Sequence, residues 1–158
     1  MADHVEGILA QWARERPGLD VSPMAVIGRL SRASAAVEQR LARTFASHDL
    51  DAAAFDVLAT LLRNGHPHRL TPAALAADAM ISTSAVAQRL NRLEARGLVT
   101  REPNPDDGRG SLVTLTAAGK AAVERALPPH LATEESILAD LSAAERAQLV
   151  ALLARLRP

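Results

Sequence analysis

The stretch "STSAVAQRLNRLEARGLVTREPNPDDGRGSLVTLT", residues 82–116, decides the fold. Its first half places Val86, Leu90 and Leu93 at helical spacing, with Ser82 as an N-cap and Gly97 as the stop. Its second half holds two β-like runs, "LVTREP" (98–103) and "SLVTLT" (111–116), joined by the turn-rich "NPDDGRG". Just upstream, Thr71-Pro72 opens a short helix, "PAALAADAM". A short helix, a tight turn, a second helix and then a hairpin describe a winged helix-turn-helix.

Helices extend on both sides. Val5, Ile8, Leu9 and Trp12 recur with helical period, and the pattern stops near residues 16–18. Ser22 as N-cap with Pro23 behind it predicts a long helix to about Ala46. Asp51 caps "AAAFDVLATLLRNG", which closes at Gly65, and "HPHR" reads as a loop. Thr116 caps a helix from Ala117, which Pro128-Pro129 is expected to break or kink before "HLATEESILADL" resumes. "SAAE", residues 142–145, is a capping box before a last helix. The expected fold class is mainly α with a small β-wing.

Composition narrows the function. With one Trp, two Phe and no Tyr, the core of this 158-residue chain must be Leu, Val, Ile and Ala, which favours helices. The absence of cysteine excludes disulfides, thiol nucleophiles and thiolate metal sites. Neither a signal peptide nor an apolar run of membrane length is present, so a soluble, cytoplasmic protein is expected. No phosphate loop, nucleophile elbow or metal motif points to an enzyme, and no cofactor is expected. His66 and His68 lack a cysteine or acidic neighbour that would make a metal site, so none is expected. His48 and His130 read as helix-end or surface residues, and Glu134-Glu135 as a solvated face. Zero formal net charge argues against indiscriminate binding to polyanions but permits a local basic patch.

The helix at 82–97 supplies such a patch. With Val86 at angle zero, Leu90 and Leu93 fall within about 40° and form an apolar stripe. Ser84, Gln88, Asn91, Arg92 and Ala95 cluster roughly 140–240° away. Amide side chains pair with base edges, hydroxyls with bases or phosphates, and arginine with guanine or phosphate. Ser82, Thr83, Ser84, Gln88, Asn91 and Arg92 are therefore the candidate DNA-binding residues, with Arg109 at the hairpin tip reaching the minor groove. A solvated amphipathic helix, or a winged-helix protein-interaction module without DNA binding, is the rival reading. Arg96 suits phosphates or solvent. Arg89 lies on the flank between stripe and exposed face, where it can turn inward.

Residues 70–121 resemble the helix-turn-helix and wing of the MarR family of bacterial transcriptional regulators, most specifically in "RLEARGLVTR", "DDGR" and "LVTLTAAG". That resemblance implies a homodimer built from the N- and C-terminal helices and bound to pseudo-palindromic, double-stranded operator DNA. It divides the chain into an added helix and first dimerisation helix (1–50), the winged helix-turn-helix (51–116) and C-terminal dimerisation helices (117–158). One departure is visible: Gly108 stands where the wing usually carries the first of two basic residues. "EGILAQWARERPGLDVSPMAVIGRLSR" is further similar to the added helix of the urate-responsive subgroup, which includes HucR, PecS and TamR. Trp12, Asp56, Arg89 and Arg101 match that subgroup's effector set, which implies a small anionic effector such as urate, trans-aconitate or citrate.

The residues agree in part. Asp56 sits among Phe55, Val57, Leu58, Leu61 and Leu62, past the first turn, where a carboxylate needs a partner. An inward Arg89 is a candidate, and an anion held by Arg89 and Arg101 would then compete with Asp56. A structural ion pair without any ligand is the other reading of the same residues.

Overall fold

The computed structural model describes residues 3–79, 83–105 and 110–156, with residues 83–85 as backbone only. The chain divides into two units, one reaching Arg40 and one beginning at Leu41. Its helices are α1 (His4–Glu15), α2 (Ser22–Ala46), α3 (Ala52–Arg63), α4 (Pro72–Asp78), α5 (Thr83–Ala95), α6 (Ala117–Ile137) and α7 (Ala143–Leu153). Three strands accompany them: β1 (Arg69–Leu70), β2 (Val99–Pro103) and β3 (Ser111–Leu115).

In the first unit, Asp3 caps α1 by accepting from the Val5 amide at 3.0 Å, and pairs with Arg29 of α2 at 2.5 Å. Val5 is buried against Gly28, where a β-carbon would lie 3.2 Å from Val5 Cγ1. The start of α2 differs from expectation. Ser22 is already helical, and its amide donates to the Asp20 carboxylate at 2.9 Å, so the acceptor comes from outside the helix.

The second unit is built around α3. Val57, Leu58 and Leu61 are fully buried and share one core with Leu75 of α4, Val86, Leu90 and Leu93 of α5, Val99 and Val113 of the sheet, and Val123 of α6. Each such side chain contributes about 1.5–3 kcal/mol of hydrophobic stabilisation. The strands order β1-β3-β2, all antiparallel, so the expected two-stranded hairpin is a three-stranded sheet. β1 has only two residues and no alternation of its own, and becomes a strand by pairing Arg69 with Thr114 and Leu70 with Val113.

Pro128-Pro129, expected to break or kink the helix, do not break it, and α6 runs as one helix from Ala117 to Ile137. Each proline removes one amide donor. The preceding turns are held in the core by Ala122, Val123 and Ala126, while Thr133 Oγ1 donates to the Pro129 carbonyl at 2.9 Å. Packing outweighs the missing bonds.

Thr60 of α3 is fully buried, and its hydroxyl has no hydrogen-bond partner among the described residues. Valine has nearly the same shape without the stranded oxygen. Thr60→Val is expected to stabilise the protein by about 1 kcal/mol and to raise its melting temperature by roughly 2–4 °C in calorimetry.

Candidate nucleic-acid interface

Helix α5 is anchored along one side and fixed at its end. Val86, Leu90 and Leu93 are at most 2% exposed, as their stripe predicts. At the C-terminus Gly97 adopts φ +68°. Its amide reaches the Glu94 carbonyl at 2.8 Å, and the Leu98 amide reaches Leu93 at 2.9 Å. This pair of hydrogen bonds around a left-handed glycine is a Schellman motif, and Leu98 packs into the core beside Leu93. Helix α4 precedes it, capped by Thr71 Oγ1 at 3.1 Å from the Ala74 amide.

With one side buried, the opposite side presents exposed Gln88, Asn91, Arg92 and Ala95. Thr83 and Ser84 lie within α5, but their side chains, with all of Ser82 and Arg109, fall outside the described residues. The hairpin that would carry Arg109 is in register from Val99↔Leu115 to Pro103↔Ser111, and the Asn104 amide closes onto Gly110 at 2.9 Å.

Arg89 turns inward, as its flank position predicts, but its ion pair is with Asp51, where Asp56 was expected. Arg89 Nη1 lies 2.7 Å from Asp51 Oδ2, and the arginine side chain is 21% exposed. Asp51 is the N-cap of α3, and its other oxygen accepts from the Ala54 amide at 2.8 Å. An N-cap side chain projects past the helix end, within reach of α5. Asp56 sits five residues on, rotated by about 140° around the α3 axis.

Arg101 of β2 donates from Nε to Glu94 Oε2 at 2.8 Å, and its Nη2 bonds the same oxygen. These hydrogen bonds hold the Glu94 carboxyl below its usual value, outweighing the opposing effect of desolvation. Both arginines of the expected effector set are therefore engaged by carboxylates on neighbouring elements. Trp12, the remaining member, lies on α1 in the first unit and is 39% exposed.

His130 is not a surface residue. Its side chain is 14% exposed, stacks on Phe45 at a centroid distance of 5.3 Å, meets Phe55 at 4.7 Å with the rings tilted, and places Nε2 3.3 Å from Glu134. Glu135 binds Arg146 through both oxygens at 2.8 Å, which lowers the pKa of its carboxyl. His66 and His68 sit edge to face at 6.3 Å, and no group of three potential ligands for a metal is present among the described residues. Nor is any described helix long and apolar enough to cross a membrane.

A helix-turn-helix whose second helix presents a polar, arginine-bearing face, followed by a β-wing, defines the winged-helix class of DNA-binding proteins. The MarR family signature spans residues 48–110. The chain is 41% identical to the HTH-type transcriptional regulator PecS of Dickeya dadantii over 151 residues, covering 96% of this chain and 91% of PecS. It is also similar to Bordetella bronchiseptica BpsR, whose DNA binding is regulated by 6-hydroxynicotinic acid, with 32% identity, TM-score 0.75 and coverage of 82% and 91%. A mutant of Escherichia coli MarR complexed with operator DNA matches with 28% identity, TM-score 0.75 and coverage of 93% and 98%. The chain belongs to the MarR family of transcriptional regulators and is not an enzyme.

Proposed function

We propose that the chain is a repressor that binds a pseudo-palindromic operator as a homodimer and is released by a small anionic effector. The carrying observation is the division of α5 into a buried stripe, a polar exposed face and an inward arginine held by a carboxylate. The exposed face enters the major groove: Ser82, Thr83 and Ser84 near its start, then Gln88, Asn91 and Arg92, with Arg109 in the adjacent minor groove. Dimerisation is supported by exposed apolar side chains in each unit. Met24, Val26, Ile27 and Leu30 lie on α2, and Leu149, Val150, Leu152 and Leu153 on α7. Apolar surface of this kind marks a protein interface.

The effector binds at Arg89 and Arg101, with Asp56 the third residue of this unit in the set that the resemblance implies. A small anion that offers acceptor atoms to these guanidinium groups takes the place of Asp51 at Arg89 and of Glu94 at Arg101. That exchange shifts α5, and DNA is released because the anion favours the shifted arrangement. The regulation of BpsR by 6-hydroxynicotinic acid, itself an anion at neutral pH, supports this class of ligand.

Thermal shift assays with urate, xanthine, citrate and trans-aconitate test the pocket. At about 100 times its Kd, a true effector contributes about 2.7 kcal/mol and raises the melting temperature by roughly 5–10 °C. Arg89→Ala and Asp56→Asn are expected to remove that shift. No shift with any of the four, or a shift that survives both variants, refutes the pocket.

A further inference from the structure

The Asp51 carboxylate serves two helices with its two oxygens. Oδ1 terminates α3, the central helix of the core, at the Ala54 amide. Oδ2 holds Arg89, which lies midway along α5 and next to Gln88. Asp51 is thus fixed to rigid ground while its second oxygen grips the helix that faces DNA.

The three apolar anchors of α5 fix its distance from the core, but Val86, Leu90 and Leu93 lie in one narrow stripe. Hydrophobic contact is non-directional, so midway along the helix the stripe by itself supplies no directional restraint on rotation, while the Gly97 turn and the Glu94–Arg101 bond hold the C-terminal end. Arg89 lies about 60° to one side of the stripe, where a directional bond resists that rotation. The arginine is committed to this geometry: its Nε is buried without a hydrogen-bond partner among the described residues, a desolvation that the Asp51 contact offsets.

We propose that Asp51 is a positioning residue for DNA binding, which sets the rotation of α5 and thereby aims Gln88, Asn91 and Arg92. It touches no DNA itself. The inference rests on the reading that α5 faces DNA, and one of the two measurements below is independent of that reading.

Serine caps a helix about as well as aspartate, yet is too short to reach Arg89, whereas asparagine keeps the cap and a weaker, uncharged contact. Asp51→Ser and Asp51→Asn are compared with wild type on the operator and on a random duplex of equal length. A partly exposed pair of this kind, present in both protomers, predicts about a fivefold loss of operator affinity in Asp51→Ser. Asp51→Asn falls between, random-duplex affinity is unchanged, and Arg89→Gln adds little in the Asp51→Ser background. In the free protein, amide exchange across residues 86–93 accelerates while the Ala54 amide stays protected.

Unchanged operator affinity in Asp51→Ser overturns the proposal. So does an equal loss on both duplexes with Arg89→Gln alone, which would make Arg89 a phosphate contact. If wild type binds neither duplex, the DNA reading of α5 fails. Exchange in residues 86–93 then decides the clamp by itself, and unaltered rates refute it.

Discussion

Arg92→Ala is expected to weaken operator binding about 30-fold while leaving the melting temperature within about 1 °C. Arg92 is exposed on α5, and among the described residues no ion pair of the second unit uses its guanidinium. Its removal therefore costs the fold little. On DNA the side chain stands one turn behind Gln88, on the face turned away from Val86. A base or phosphate contact of this kind contributes about 1 kcal/mol or more in each half-site, and two half-sites double it. Fluorescence anisotropy on a labelled operator reads the loss. Its salt dependence identifies the contact: a lost phosphate contact lowers the slope of log K against log salt by about 1 per protomer, and a lost base contact leaves it unchanged. Unaltered affinity would remove Arg92 from the interface.

The second large effect is on stability. Gly119→Ala is expected to destabilise the protein by about 3 kcal/mol and to lower its melting temperature by roughly 6–12 °C. Gly119 lies in the first turn of α6, where its amide donates to Thr116 Oγ1 at 3.0 Å. Thr116 also joins the turn after α5, donating its amide to Leu98 at 3.2 Å and its hydroxyl to Gly97 at 2.7 Å. A β-carbon at 119 would run into the Leu98 carbonyl and lie 2.8 Å from Leu115 Cδ1. Backbone is less able to yield than a side chain, so α6 must lift from the base of the wing. Gly7→Ala on α1 is the control, because a β-carbon there meets nothing within 4 Å. It should gain about 0.5–1 kcal/mol from helix propensity, the amount that Gly119→Ala forfeits to the clash.

The helical frame was legible because it is written locally. The stripe of Val86, Leu90 and Leu93, the caps at Asp51, Thr71, Thr116 and Ser142, and Gly97 after α5 each act within a turn of their own position. What escaped depends on distant partners. β1 exists through β3, which lies more than forty residues away, and α6 survives its prolines through contacts with the core. His130 was misplaced because the two rings that cover it come from α2 and α3.

The site divides the same way. The exposed face of α5 follows from helical period alone. The pairing of Arg89 does not, because Asp51 already had a sufficient explanation as a cap, and nothing local announces that its second oxygen is used. Asp56, surrounded by apolar neighbours, drew the assignment instead. The bond between Glu94 and Arg101 joins a helix end to a strand across the Gly97 turn, and carries no pattern that period or spacing reveals.

The chain's lack of cysteine permits a direct test of where α5 sits on DNA. Ala95 is exposed on the same face of α5 as Asn91 and Arg92, so a single Ala95→Cys variant can carry an iron chelate while the proposed contacts stay intact. Cleavage of the bound operator from this position is predicted to fall in two clusters about one helical turn, or a small multiple of it, apart, one for each half-site. A variant that still binds the operator but cleaves it no differently from free DNA would contradict the account, because α5 would then lie away from the groove it is proposed to read.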